Sequence, residues 1–393
     1  MYKKDFPILA QNITYLDSAA TTQKPKVLLN QTNTFYKKDY ANVHRGTCSL
    51  ANQATTMYEL ARQKAADFIG TISKNIVFTK GATEAINLVA TGYAQILKPG
   101  DEVLVSIAEH HANFVPWQQA CLKSGATFKV FNILPDGRFD MKDFKEKLSE
   151  KTRVVAVGHI SNVLGVVNPI KEIVELAHKV SAKVLLDAAQ SISHLPISVK
   201  DLDVDYLAFS GHKVYGPTGI GVLYGKTDCL NELPPYQFGG DMIDEVKVEG
   251  TTFALAPSKF EAGTPPITQA IGLGISLDYI KNIGLEKIQK HEKNLMKSLI
   301  KGLKEIPNIQ FLGDPKYKTA LVSFNIAGIH PNDLGFILAK ENICVRIGHH
   351  CAMPLHTHFK MAASMRVSLG LYNTHQDVQN FLKAFHKAIG FFK

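Results

Sequence analysis

Lys213 stands where a reactive amine would be useful. It follows an apolar run at residues 206–209 that predicts a buried strand, and a Gly-Pro-Thr-Gly turn comes soon after it. Ligand sites of α/β proteins lie at the carboxyl ends of such strands. An amine held there, partly out of water, loses some preference for its charged form and can attack an aldehyde. The alternative interpretation is a solvent-exposed lysine in a loop without a function. The neighbouring residues Ser210 and His212 favour a functional lysine.

Polar side chains also follow the other strands that the sequence predicts. Each comes directly after a short apolar run and leads into a turn or a helix-like segment. These strand-end residues are Thr83, His110, Asn162 and Asp187. Because the carboxyl ends of parallel strands share one edge of a sheet, we expect the four to converge in space.

Strands and helices alternate through the first part of the chain, which predicts an α/β fold with a doubly wound, mainly parallel sheet. One of these helices, at residues 54–69, is predicted to turn an apolar face inward that consists of Met57, Leu60, Ala61, Ala65, Phe68 and Ile69. A long helical segment at about 268–306 is interrupted at Asn282-Ile283-Gly284. The remainder mixes helices with strands, 343–346 among them, and predicts a smaller α+β unit.

Composition is that of an ordinary globular protein. Of 393 residues, 45% are hydrophobic and 20% charged, and the net charge of +9 comes from scattered lysines. Scattered charge disfavours a nucleic-acid groove. The N-terminus lacks the apolar stretch of a signal peptide, and no run is long enough for a membrane helix. We therefore expect a cytoplasmic protein that binds neither nucleic acid nor membrane.

The cysteines are few, odd in number and widely spaced. This pattern favours neither a disulfide framework nor a Cys-x-x-Cys zinc site. Cys351 has four histidines within a few residues, so a metal ligand is the alternative to a nucleophile there. The irregular spacing, with no paired second half, favours the nucleophile and predicts no metal. The other cysteines are interpreted as structural or incidental: Cys48, Cys121, Cys229 and Cys344.

One cofactor accounts for the strand-end residues together. Pyridoxal phosphate needs a lysine to bind its aldehyde, a carboxylate to keep the ring nitrogen protonated, and a cup of amides and hydroxyls for its phosphate. Lys213 and Asp187 match the first two needs, and the turn that opens with Gly81 matches the third. Without Lys213, Asp187 would be interpreted as an ordinary turn residue.

Several motifs together resemble one family almost from end to end. The chain resembles group II cysteine desulfurases of the SufS type, members of the class V aminotransferases among fold-type I pyridoxal phosphate enzymes. The segment Arg346-Ile347-Gly348-His349-His350-Cys351-Ala352-Met353-Pro354 resembles that family's active-cysteine loop. The other matching segments are Leu16-Asp17-Ser18-Ala19-Ala20, Val43-His44-Arg45-Gly46, Gly81-Ala82-Thr83-Glu84, Glu109-His110-His111-Ala112-Asn113, Ser161-Asn162-Val163-Leu164-Gly165, Asp187-Ala188-Ala189-Gln190 and Ser210-Gly211-His212-Lys213.

The resemblance implies a homodimer and a large cofactor domain with a sheet of the seven-stranded type. We expect an N-terminal segment at residues 1–18 that packs with the small domain. The large pyridoxal phosphate domain is predicted at residues 19–281. The small C-terminal domain, which carries the active cysteine, is predicted at residues 282–393.

The resemblance also implies a role for each site residue. For the cofactor, it implies Lys213 as the covalent link, Asp187 at the ring nitrogen, Gln190 at the ring hydroxyl and His110 stacked on the ring. At the phosphate it implies Thr83, Ser210 and His212, with Thr264 reaching from a second subunit. Ala82 stands at a phosphate position where a hydroxyl residue is frequent. For the substrate, it implies Arg366 at the carboxylate, with Asn162 and Arg346 nearby, and Cys351 as the nucleophile. A planar guanidinium can grip a carboxylate through two parallel hydrogen bonds.

The implied reaction converts L-cysteine to L-alanine, leaves a persulfide on Cys351 and feeds a sulfur-acceptor protein of iron–sulfur cluster assembly. Within the same fold, the alternatives are a selenocysteine lyase, a cysteine sulfinate desulfinase and an aminotransferase; the last has no need of a thiol. A metal-binding scaffold protein is the non-enzymatic alternative. Phe238 and Asp241 depart from the family's glycine-rich turn, so the choice of partner stays open.

Overall fold

The structure is a computed structural model that describes residues 2–392. Its strands are β1 (Thr14–Tyr15), β2 (Ile76–Thr79), β3 (Glu102–Ser106), β4 (Thr127–Phe131), β5 (Thr152–Gly158), β6 (Lys183–Asp187), β7 (Tyr206–Ser210), β8 (Gly221–Gly225), β9 (Ile243–Lys247), β10 (Gly250–Phe253), β11 (Ile309–Phe311), β12 (Leu321–Ile326), β13 (Ile343–Cys344), β14 (Arg346–Gly348) and β15 (Ser364–Ser368). Its α-helices are α1 (Lys26–Lys38), α2 (Ser49–Ile69), α3 (Ala82–Ile96), α4 (Val115–Ser124), α5 (Met141–Lys147), α6 (Ile170–Lys179), α7 (Val199–Leu202), α8 (Thr227–Glu232), α9 (Ile267–Ile283), α10 (Leu285–Lys304), α11 (Pro331–Lys340), α12 (Met353–His358) and α13 (His375–Gly390). No helix among the described residues has the length and apolar character to cross a membrane.

A seven-stranded sheet in the order β2-β8-β7-β6-β5-β3-β4 forms the larger layer. Strand β8 runs antiparallel to both of its neighbours, and the pairs from β7 to β4 are parallel. The central strands are buried along their length, since core clusters cover both faces of the sheet. Continuous apolar strands are what a parallel sheet covered on both faces requires. The prediction of a mainly parallel α/β sheet is confirmed.

A four-stranded antiparallel sheet, in the order β11-β12-β15-β14, forms the second layer. The single strand predicted at residues 343–346 is wrong. The structure has two strands there: β13 pairs in parallel with β1, and β14 pairs antiparallel with β15. The chain changes partner at Val345 because the N-terminal strand takes up the first half of the segment. The domain division predicted from the sequence stays a prediction.

The long helical segment is interrupted as predicted. Helix α9 ends and α10 begins at Gly284, whose φ of +91° is one that side chains rarely adopt. The predicted inward face of α2 is wrong at Leu60, which is 52% exposed. Small residues pack there instead, and a Cβ at Gly274 of α9 would lie only 3.0 Å from that of Ala61. Of the other residues predicted to face inward, Ala61, Ala65 and Ile69 are buried, and Met57 and Phe68 are half-buried.

Candidate active site

A cavity of about 440 Å³ lies at the carboxyl ends of β3, β5, β6 and β7, and residues of β14 and β15 close its other side. Ligands of open α/β sheets bind at this edge. The predicted site residues that line it are Ala82, Thr83, His110, Asn162, Asp187, Gln190, Ser210, His212, Lys213, Arg346, Cys351 and Arg366. The structure thus brings together all but one of them. Thr264 is exposed and lines a different pocket.

Lys213 and Asp187 form the floor of this cavity. Asp187 ends β6, and Lys213 lies in a short helical turn directly after β7, the next strand of the sheet. Burial lowers the pKa of the Lys213 amine, and the charge of Asp187 opposes that shift. Burial likewise raises the pKa of Asp187, against the charge of Lys213. The floor therefore holds an amine and a carboxylate out of water, each stabilising the charged form of the other.

The peptide carbonyl that precedes Lys213 is held from four directions. The oxygen of His212 accepts from the Thr22 amide at 2.9 Å, from the hydroxyls of Thr22 and Thr21 at 3.0 and 3.2 Å, and from Lys24 Nζ at 3.4 Å. Burial lowers the pKa of Lys24 to about 8. Residues 21–24 lie about 190 positions away in sequence, so sequence patterns gave no sign of this anchor.

An anion cradle lies where α3 begins. The amide of Ala82 donates to Ser210 Oγ at 2.8 Å, and a Cβ at Gly81 would lie 3.2 Å from that same oxygen. The other first-turn amides of a helix have no intrahelical partner, and the helix dipole favours negative charge near them. Burial lowers the pKa of the nearby His212 to about 4, with Lys213 adding to the shift. The cradle is therefore built mainly from neutral donors, which suits a phosphate.

His110 is held as a neutral imidazole at the cavity wall. Its Nδ1 accepts from the Ala112 amide at 3.0 Å, which assigns its proton to Nε2. Burial lowers the pKa of His110 to about 3, and the charge of Lys213 acts in the same direction. Proton exchange at this residue is therefore confined to Nε2.

Gln190 and Asn162 both use their side-chain amides to hold backbone carbonyls. Gln190 Nε2 donates to the oxygen of Ala19 at 2.8 Å, and Asn162 Nδ2 donates to that of His350 at 2.6 Å. Both residues line the cavity as expected. Their roles toward a ring hydroxyl and a substrate carboxylate stay predictions.

Two arginines share one carboxylate that sequence reasoning had not placed in the site. Asp17 lies 2.8 Å from Arg346 Nη2 and 3.2 Å from Arg366 Nη2. The arginines are paired residues of β14 and β15. Arg366 is buried and also donates to the carbonyl of Asn162, but its Nε has no partner among the described residues. The only early signal was the position of Asp17 in a matching motif.

Glu109 is a second missed residue. Its carboxyl group is buried against the cavity and accepts from Asn113 Nδ2 at 2.7 Å. It lies over Gly158, where a Cβ would be 3.4 Å from Oε2, and Gly158 is in register with Asp187 on the next strand. Burial raises the pKa of Glu109 to about 8. The only sequence signal for Glu109 was its position directly before His110. The sequence does not show that its carboxyl group is buried.

Cys351 lies at the rim of the cavity with its side chain exposed. The backbone around it is left-handed, with φ of +127° at Gly348, +51° at His350 and +55° at Cys351 itself. Non-glycine residues keep such angles only where their surroundings impose them. The alternative of a metal site has no support in the arrangement. His350 and His356 both lie 3.0 Å from Ser364 Oγ, and over residues 2–392 no group of three or more His, Cys, Asp or Glu could hold an ion.

The chain is similar to known proteins along nearly its whole length. The model of the aminotransferase class-V family matches residues 14–381. A probable cysteine desulfurase of Synechocystis sp. (strain ATCC 27184 / PCC 6803 / Kazusa) is 46% identical over 400 residues, covering 99% of this chain and 95% of the relative.

Two solved structures illustrate the likeness in three dimensions. The crystal structure of the cysteine desulfurase CsdA from Escherichia coli superposes with a TM-score of 0.94 at 37% identity, covering 99% of this chain and 98% of that one. A C-DES mutant with glycine covalently linked to its PLP cofactor superposes with a TM-score of 0.85 at 25% identity, covering 98% of each chain.

Proposed function

Because the chain belongs to the aminotransferase class-V family, we propose that it is a pyridoxal phosphate-dependent cysteine desulfurase that converts L-cysteine to L-alanine. One observation carries this proposal: the thiol of Cys351 stands at the rim of the cavity whose floor is Lys213 and Asp187. The amine and the carboxylate are the groups that would bind the cofactor, and the thiol is the group that would take up sulfur from the substrate. Transamination alone would need no thiol at this position.

The residues present fit pyridoxal phosphate. Lys213 offers a buried amine for its aldehyde, Asp187 a buried carboxylate for its ring nitrogen, and the start of α3 a cradle of amides for its phosphate. His110 and Gln190 line the cavity between these points. When bound, the cofactor supplies an electron sink for the substrate's α-carbon.

The arginine side of the cavity suits the carboxylate of an amino acid. Arg366 has a buried Nε without a partner among residues 2–392, and Asp17 holds Arg366 beside Arg346. A buried donor without a partner costs free energy until a ligand satisfies it. The two guanidiniums would therefore orient cysteine with its side chain toward the rim.

Three groups of the chain can move protons or take up sulfur near such a substrate. Lys213 can hold a proton at Nζ, and His110 can do so only at Nε2 because Nδ1 is occupied. Cys351 attacks as a thiolate: its Sγ bonds to the substrate sulfur while the bond from that sulfur to the substrate Cβ breaks. The electron pair of the broken bond stays with the carbon skeleton, and a proton added at Cβ completes the methyl group of alanine. The products are alanine and a persulfide on Cys351, and no external oxidant or reductant is consumed.

The partners predicted from the sequence belong to this proposal. We propose a homodimer in which Thr264, exposed in this chain, reaches the phosphate of the second subunit. We also propose that a sulfur-acceptor protein of iron–sulfur cluster assembly takes sulfur from Cys351, which its exposure would allow. A cytoplasmic location and the division at residues 18 and 281 remain parts of the same proposal.

The direct test measures sulfide and alanine after incubation of the purified holoenzyme with L-cysteine and a reductant. Both products are expected in equal amounts from the parent protein. Cys351→Ser should lose sulfide release, whereas Cys48→Ser, which changes another exposed cysteine, should match the parent. Equal sulfide release from Cys351→Ser would exclude the persulfide mechanism. Turnover of selenocysteine alone would make the protein a selenocysteine lyase.

A further inference from the structure

One residue, His111, bonds the loop both at the nucleophile and two residues after it. The backbone amide of His111 donates to the carbonyl of Cys351 at 2.6 Å. The imidazole of the same His111 accepts at Nε2 from the amide of Met353 at 3.0 Å. His111 thus contacts the residue that carries the thiol and the first residue of α12 after it.

The conformation of the loop makes these bonds consequential. His350 and Cys351 both have positive φ, a state that L-residues leave unless something holds them. Beyond His111, the side chain of Asn162 bonds the carbonyl of His350. Of these bonds, the one to the amide of Met353 is the one that depends on a titratable side chain.

We propose that His111 is a positioning residue that clamps the Cys351 loop over the cavity while its Nε2 is unprotonated. An imidazole nitrogen accepts a hydrogen bond only when it carries no proton. Protonation would set an N–H of the ring against the N–H of Met353, so the clamp would open. The proposal rests on the proposed function only in assigning Cys351 as the nucleophile.

The sign of the pH dependence follows from the surroundings of His111. Burial lowers its pKa below the ordinary value of 6.5, and the charge of His349 acts in the same direction. For a base with a lowered pKa, the contribution to stability is complete above the ordinary value and is lost as the pH falls through the folded value. The clamp is therefore closed at neutral pH and opens below pH 6.5.

The groups around His111 come from three elements. His110 is its neighbour in the chain, with ring centroids 6.4 Å apart, and His349 and Cys351 belong to the clamped loop. Lys123 of α4 and His111 line a second pocket, next to the cavity. None of these groups is a carboxylate, so protonation of His111 gains no ion pair from them.

Hydrogen exchange of the Met353 amide, followed by mass spectrometry in the holoenzyme, tests the clamp without substrate. Rates at pH 5.5, 6.5 and 7.5 are corrected for intrinsic exchange and compared for the parent, His111→Leu and His111→Gln. The amide oxygen of Gln can replace Nε2 as the acceptor but does not titrate. Helix α6 serves as the internal control for folding.

At pH 7.5, His111→Leu should lower the protection of Met353 about two- to tenfold, the range that one hydrogen bond supplies. The parent should lose protection as the pH falls below 6.5, and His111→Gln should keep it throughout. The clamp would be overturned if the Met353 amide were equally protected in all three proteins. It would also be overturned if protection in His111→Gln fell with pH as it does in the parent. If His111→Leu also loses protection in α6, that variant is misfolded, and the pH dependence of Met353 protection in the parent and in His111→Gln tests the clamp instead.

Sulfide release tests whether the clamp positions the nucleophile. His111→Leu should lower kcat about tenfold with KM for cysteine unchanged, since the arginines are untouched, and His111→Gln should restore most of the loss. Normal kcat in a variant that has lost Met353 protection would overturn the positioning role. A parent protein that releases no sulfide at all would instead count against the proposed function, because the exchange measurement needs no turnover.

Discussion

The floor of the cavity and the Cys351 loop differ in burial and in how firmly they are held. Lys213 and Asp187 are buried at the ends of paired strands, and the peptide before Lys213 is anchored by four donors. Cys351 is exposed on a left-handed turn held by a few hydrogen bonds from His111 and Asn162. Cofactor chemistry needs fixed, desolvated groups, whereas the proposed transfer of sulfur from the Cys351 thiol to an acceptor needs access from outside.

This difference indicates that the two regions are separable. The floor is fixed by paired strands and by four donors that lie outside the loop, so its geometry should tolerate changes in the loop. The loop is fixed largely by side chains, so it should respond to single substitutions and to pH. Three substitutions test that separation.

Lys213→Ala should have the largest effect. Loss of the amine should abolish the yellow colour of the bound cofactor and reduce sulfide release at least about 10³-fold. The hydrogen bonds that hold the Cys351 loop come from His111 and Asn162 and not from Lys213, so hydrogen-exchange protection at Met353 should not change. Absorbance, sulfide release and exchange measure the three quantities. Loss of loop protection in this variant would show that the two regions are coupled.

Glu109→Gln should have the next largest effect, on stability. In the folded protein Glu109 stays protonated up to its pKa of about 8, whereas unfolded it ionises near 4.5. The stability contributed by this group is thus complete below pH 4.5 and is lost as the pH rises toward 8.

Glutamine cannot ionise and can still accept from Asn113. Relative to the parent, Glu109→Gln should therefore gain roughly 3–5 kcal/mol in free energy of unfolding between pH 4.5 and pH 8.5. Urea unfolding of both proteins, freed of cofactor, measures the difference. Identical pH dependence in the two proteins would mean that Glu109 does not titrate in the folded state as described.

Cys351→Ser should have the smallest effect on stability, although it removes the proposed nucleophile. The thiol is exposed and the loop bonds use only the backbone of residue 351, so the free energy of unfolding should change by less than about 0.5 kcal/mol. The matched control is Cys121→Ser, which buries a hydroxyl in the core and should cost about 1–3 kcal/mol. A large loss in Cys351→Ser would mean that the loop contributes to the stability of the fold.

Sequence reasoning placed most of the cavity because strand ends can be found from local pattern. The apolar runs before Asp187 and Lys213 predicted buried strands, and parallel strands bring their carboxyl ends together. The same kind of reasoning failed at Leu60, where spacing was right for a helix but the packed face was set by the neighbouring helix α9.

The sequence by itself determined the α/β fold and the cofactor class, and it predicted the thiol that would use the cofactor, because each depends on residue types within short segments. Only the tertiary structure decided what surrounds these groups. Asp17 meets Arg346 and Arg366 across 329 and 349 residues, and His111 meets Met353 across 242. Such contacts leave no local period in the chain, and the burial that gives Glu109 its raised pKa exists only once the sheet has formed.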